Sequence, residues 1–153
     1  MSKRNPTYKA PKDLPIYTAA FKLMAVIDDI HDEFRRDRRH TLWQHLANAA
    51  DKLPYLICIA QDFPKHREEA LILMLGTLSV MQSKLEMCVL RGYISEKVYL
   101  QCAGPFTSIE RQANGWLIST KSAGVGDGDT ESAHSYKGGS TLSARFLDEL
   151  RTS

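Results

Sequence analysis

Residues 34–40 read Phe34-Arg35-Arg36-Asp37-Arg38-Arg39-His40, which places four arginines within five positions. A guanidinium is planar and permanently charged, and its fork of donors matches the oxygens of a phosphate or a carboxylate. Charge alone therefore points to a polyanion, either nucleic acid or an acidic protein, against the plain alternative of a solvated turn. Lys84, Arg91 and Arg111 add positive charge on or just after later helical segments, and Lys65 with Arg67 makes a second, smaller cluster. Asp32, Glu33 and Asp37 stand beside the arginines and dilute a purely basic surface.

Other chemistry is sparse. Helical bundles can hold metals on inward carboxylates and acid-x-x-His pairs. Asp28-x-x-His31 has that spacing, but Asp28 lies off the apolar line of its segment, so no metal is expected. His40 and His45 are five apart and do not share a helical face. His66-Arg67-Glu68-Glu69 reads as the first turn of a helix, where acids suit the macrodipole. The chain has no phosphate-binding glycine loop, no Gly-x-Ser-x-Gly elbow and no Cys-x-x-Cys pair, and no nucleophile, base and orienting group can be assembled. Neither catalysis nor a cofactor is expected. Cys58, Cys88 and Cys102 are odd in number and each falls in an apolar helical stretch, the pattern of reduced core thiols.

The segments that must position these residues follow from apolar spacing. Ile16, Ala20, Leu23, Ile27, Ile30 and Phe34 recur at intervals of three and four, which predicts an amphipathic helix. The arginine stretch then reads as a turn. Thr41 is placed to start a second helix, with Leu42, Leu46, Ala49, Leu53, Leu56 and Ala60 on its stripe and a kink expected at Pro54. A third helix runs from about His66 to Leu90 with Leu71, Met74, Leu75, Leu78, Met81, Leu85, Cys88 and Val89 on one face, and stops at Gly92. Its other side carries Ile72, Leu73, Val80, Met87 and Leu90, more than one core needs. Two readings fit: a helix buried at the centre of the fold, or a subunit interface. Ser95 opens a fourth helix bearing Val98, Cys102, Phe106, Ile109, Ala113 and Trp116, with a kink or short break expected at Gly104-Pro105.

With 153 residues, 43% of them apolar, the chain can bury one sizeable core. Four helical segments with short connections predict an all-α fold, an antiparallel up-and-down four-helix bundle over residues 15–120. Residues 1–14, basic and rich in proline, read as a flexible arm. Residues 121–153 read as a flexible Gly/Ser-rich tail in which Leu142, Phe146, Leu147 and Leu150 have the spacing of one or two helical turns able to dock on a partner. No unbroken apolar run reaches the roughly 18 residues that cross a bilayer, and the start of the chain lacks the apolar core of a signal peptide. A cytoplasmic protein without a membrane partner is expected.

The order of these features resembles a small four-helix-bundle family. That family contains the accessory variability determinants of diversity-generating retroelements and the bundle proteins encoded in ribosomal-RNA intervening sequences. The resembling pieces are Leu14-Pro15-Ile16-Tyr17, the Phe34-Arg35-Arg36 turn leading through Arg39 to Leu42 and Leu46, and Leu53-Pro54-Tyr55-Leu56-Ile57. Gly92-Tyr93-Ile94-Ser95 and the closing Ile109-Glu110-Arg111-Gln112-Ala113-Asn114-Gly115-Trp116 complete the match, which spans Leu14 to Ser119. The resemblance implies a homopentameric barrel with a basic surface that binds a reverse transcriptase and its template RNA, with DNA as a further ligand, during mutagenic copying. On that analogy Ile72, Leu73, Val80, Met87 and Leu90 form an intersubunit surface, and Arg35, Arg36, Arg38, Arg39, Lys84, Arg91 and Arg111 contact nucleic acid or polymerase. Two other readings stay open: an intervening-sequence-type bundle with an undetermined binding role, and an adaptor that recognises an acidic protein.

Overall fold

A computed structural model describes residues 7–124. The described chain is all-α, with four long helices and no strand among the described residues. We label them α1 (Pro15–Asp29), α2 (Gln44–Asp62), α3 (Arg67–Leu90) and α4 (Glu96–Gly124). Each packs against its neighbours in the chain, and α1 also packs against α4, so the four close around one core.

Helix α1 starts where Pro15 takes the first helical position, which needs no N–H, behind an extended Leu14. Ile16, Ala20, Leu23 and Ile27 turn inward as the spacing predicts. The helix stops at Asp29, earlier than the apolar line suggests; Ile30 and Phe34 continue the buried line through a 3₁₀ turn at His31–Glu33. Trp43 holds this junction. Its Nε1 donates to the Ile27 carbonyl at 2.8 Å, an acceptor with no partner inside α1 because it lies in the last turn. The His31 ring meets the Trp43 ring edge-on at 4.5 Å.

The stretch expected to be a turn is itself helical. Arg36–Arg38 forms one α-turn and Arg39–Trp43 a π-turn that runs into α2; the chain reversal lies upstream, between Ile30 and Arg35. Thr41 does not cap α2. It sits inside the π-turn, and its hydroxyl donates back to the Arg38 carbonyl at 3.4 Å. Helix α2 continues through Pro54, and α4 is likewise unbroken through Pro105. Each ring removes one intrahelical donor, but inward residues on both sides hold the helices: Leu53 and Ile57 in α2, Cys102 and Ile109 in α4.

Phe63 leaves the helical conformation before Pro64, with φ of −126° and ψ of 81°, as the proline ring disfavours a helical residue ahead of it, and ends α2. Arg67 seals that end: Nε donates to the Ala60 carbonyl at 2.6 Å and a terminal nitrogen to the Gln61 carbonyl at 3.3 Å. At the other end of α3 the Tyr93 N–H donates to the Cys88 carbonyl and the Gly92 N–H to the Val89 carbonyl, at 2.8 and 3.0 Å. This is the paired closure that requires a left-handed residue, and Gly92 has φ of 72°. The Ser95 hydroxyl accepts from the Val98 N–H at 3.2 Å and caps α4.

The core stripes fall where the spacing puts them, with Ala50, Ile57 and Leu117 added and Leu42, Ala49, Val89 and Trp116 only partly buried. Cys88 and Cys102 are buried free thiols, pushed up by burial to about 11 and about 12; Cys58 is a partly buried free thiol whose value burial also raises. Residues from Thr7 onward do not form a free arm. The Tyr8 hydroxyl reaches the Asp62 carboxylate, and Gln61 donates to the Lys9 carbonyl at 2.7 Å, which ties the segment to the end of α2. The rest of the expected arm, residues 1–6, and residues 125–153 of the expected tail, Leu142, Phe146, Leu147 and Leu150 among them, lie outside the described residues.

Candidate functional site

The arginines of residues 35–39 divide by environment. Arg39 is three-quarters covered: Nε donates to the Phe34 carbonyl at 3.1 Å, and a terminal nitrogen donates to the Asp32 carbonyl at 3.2 Å and lies 3.9 Å from the Asp32 carboxylate. It closes the reversal between α1 and α2. Arg38 lies over the Tyr93 ring at 4.7 Å, a cation–π contact that brings the α1–α2 connection against the α3–α4 connection. Its Nε is covered, has no hydrogen-bond partner and stands 3.8 Å from the Asp37 carboxylate. Arg35 faces the other Asp37 oxygen at 3.5 Å. Arg36 is exposed and, among the described residues, forms no ion pair.

The Tyr93 contact adds Arg91 to this end of the molecule, exposed and likewise without an ion pair among the described residues. Lys84 lies seven residues back along α3, about 10 Å at the helical rise, and is half-buried. Arg111 lies fifteen residues into α4 from Glu96, about 22 Å from its start. The structure thus gathers Arg35, Arg36, Arg38, Arg39 and Arg91 at one end, with Lys84 at its edge and Arg111 apart. Asp32 and Asp37 are engaged as well. His31 Nδ1 hydrogen-bonds the Asp32 carboxylate at 2.9 Å, which, with the attraction of His31 and then of Arg39, holds Asp32 below the usual aspartate value against a small opposing effect of burial. The cations most available to a phosphate are Arg36 and Arg91.

The second candidate surface is the outward side of α3. Ile72, Leu73, Val80, Met87 and Leu90 are all exposed, Val80 by 54% and Leu90 by 70%. At 100° per residue they share an arc of about 100°, opposite the arc of Met74, Leu78, Met81 and Leu85. The helix is thus apolar on two opposite faces, and the residues of the outward one stay 38% to 70% exposed in the described chain. By length and composition Pro64–Leu90 is apolar enough to cross a membrane, which a search for an unbroken run does not register because Ser83, Lys84 and Glu86 interrupt it. A finer signal was available in the sequence. Leu73, Gly76, Val80, Ser83, Met87 and Leu90 alternate intervals of three and four, the seam of a short coiled coil with two small residues in it.

A third feature escaped the sequence reading. Tyr55, Ile59, Phe63, His66, Glu69 and Leu73 line an apolar groove of about 490 Å³ between α2 and α3, with Tyr55 exposed by 65% and Phe63 by 58%. Tyr55 and Phe63 stand off the core stripe of α2, and only the position of α3 turns them into the walls of one groove. Among the described residues no cluster of three His, Cys, Asp or Glu side chains has the arrangement of a metal site. No protein-family model, curated protein or solved structure matches the chain.

Proposed function

We propose that the chain is a non-catalytic, self-assembling helical protein whose four helices form an antiparallel up-and-down bundle. Its subunits pair through the outward stripe of α3, and its arginine-bearing end receives a polyanion. In the sense of the family it resembles, it serves in the cytoplasm as an accessory protein of a diversity-generating retroelement. There it assembles as a homo-oligomer, a pentamer on the same analogy, and engages the reverse transcriptase together with template RNA and its DNA copy.

The observation that carries this reading is the two-faced α3. Five large apolar side chains on one exposed arc make a patch of the kind that marks interaction sites. Arg36 and Arg91 supply the polyanion contact, because they hold charge that no described acid neutralises. Arg39 contributes less to that contact, since two of its five donors are held by the Phe34 and Asp32 carbonyls and its side chain is three-quarters covered.

Retention on single-stranded RNA, measured by filter binding from low to physiological salt, tests the polyanion part. The reading expects binding that falls steeply as salt rises, and a uniform loss across RNA sequences in Arg36→Ser with Arg91→Ser, with helix content unchanged. Absence of binding at low salt, or equal binding by that variant, contradicts it.

A further inference from the structure

The α2–α3 groove has a candidate occupant in the chain itself. We propose that residues 142–150, Leu142-Ser143-Ala144-Arg145-Phe146-Leu147-Asp148-Glu149-Leu150, dock in the groove walled by Tyr55, Ile59, Phe63 and Leu73 of the same molecule.

Three observations meet here. The described chain ends at Gly124, at the end of the molecule where the groove lies: Lys121 Nζ stands 4.0 Å from the Glu68 carboxylate, and Trp116 lies 5.6 Å under the Arg67 guanidinium. Glu68 precedes Glu69, which lines the groove, so the path from Gly124 crosses α3, one helix diameter of about 10 Å. Residues 125–141, seventeen in all, join Gly124 to Leu142. A chain of that length has a span on the order of 20 Å, enough for the crossing, and a tether this short sets an effective concentration in the millimolar range, where a small apolar contact suffices.

The segment matches the groove in pattern. Wound at 100° per residue, Leu142, Phe146, Leu147 and Leu150 fall within an arc of about 140°, with Arg145, Asp148, Glu149 and Arg151 on the other side. That is one apolar face about two turns long with a rim of both signs, and the groove offers exposed aromatic walls with Glu69 and His66 at its edge. The helix-in-groove mode of recognition uses this arrangement. The groove shares Leu73 with the α3 seam, but its other walls, Tyr55, Ile59 and Phe63, stand on α2 outside that seam, so the docking does not depend on subunit pairing.

Hydrogen exchange of the full chain, read by mass spectrometry over residues 141–151 at several protein concentrations, tests this. The proposal expects these amides to exchange at least about tenfold more slowly than a free chain, equally at all concentrations, and to lose that protection in Tyr55→Ser with Phe63→Ser and, separately, in Phe146→Asp. The groove pair is exposed and the third change lies outside the described residues, so the circular dichroism of the four helices should match the parent. Free-chain exchange in the parent overturns the proposal. Protection that grows with concentration identifies a second copy as the occupant, and protection that survives Tyr55→Ser with Phe63→Ser places the segment elsewhere; either also overturns it.

Discussion

Arg39 and Arg36 are three residues apart and do different work. Arg39 gives two donors to carbonyls that the 3₁₀ turn after α1 leaves without partners, so Arg39→Ala should lower stability by about 1–2 kcal/mol in urea unfolding. Arg36→Ala should stay within about 0.5 kcal/mol of the parent in the same measurement. Asp32 offers a second check on this corner. The hydrogen bond from His31 depresses its folded value, so the small stability it contributes is present above the ordinary aspartate range and is lost as pH falls through the depressed value. Carbon-detected NMR titration should find the Asp32 carboxyl below the normal aspartate midpoint, and His31→Ala should move it upward. The density of charge in residues 35–39 was visible in the sequence. The division of labour was not, because it depends on where the carbonyls of Asp32 and Phe34 point and on a ring, Tyr93, that lies 55 positions from Arg38.

At the scale of the helices, spacing was enough to find every core face, because a 3.6-residue period leaves little choice once Leu23 or Leu78 must be buried. Boundaries were harder. Phe34 is buried although α1 ended five residues before it, so the apolar line ran past the helix. The prolines read differently: α2 runs through Pro54 as its unbroken spacing predicts, whereas Gly104-Pro105 reads locally as a kink or short break, yet packing on both sides keeps α4 unbroken. Two glycines should answer oppositely to the same change. Gly92 holds a left-handed conformation at the end of α3 with open space where a Cβ would stand, so Gly92→Ala should cost about 1 kcal/mol from the backbone alone. Gly115 sits in the helical interior of α4, away from the α3 seam and also with open space at its Cβ, and Gly115→Ala should raise thermal stability by about 0.5–1 kcal/mol of helix propensity. Thermal melts of the two variants, one below and one above the parent, check the pair.

The molecule as a whole presents two surfaces that its own described helices do not use: an end where Arg36 and Arg91 face solvent, and the outward seam of α3. The second carries more of the account. A helix with apolar side chains on opposite faces has one face more than a single core requires, and the alternating intervals of Leu73, Gly76, Val80, Ser83, Met87 and Leu90 suit a helix of another subunit. Sedimentation velocity of the parent and of Val80→Asp, at micromolar concentration, tests this most directly. Val80 is more than half exposed, so the substitution should leave helix content unchanged. The account predicts an oligomer for the parent and a shift to monomer for Val80→Asp. A parent that sediments as a monomer, or a Val80→Asp variant that assembles as the parent does, would contradict it.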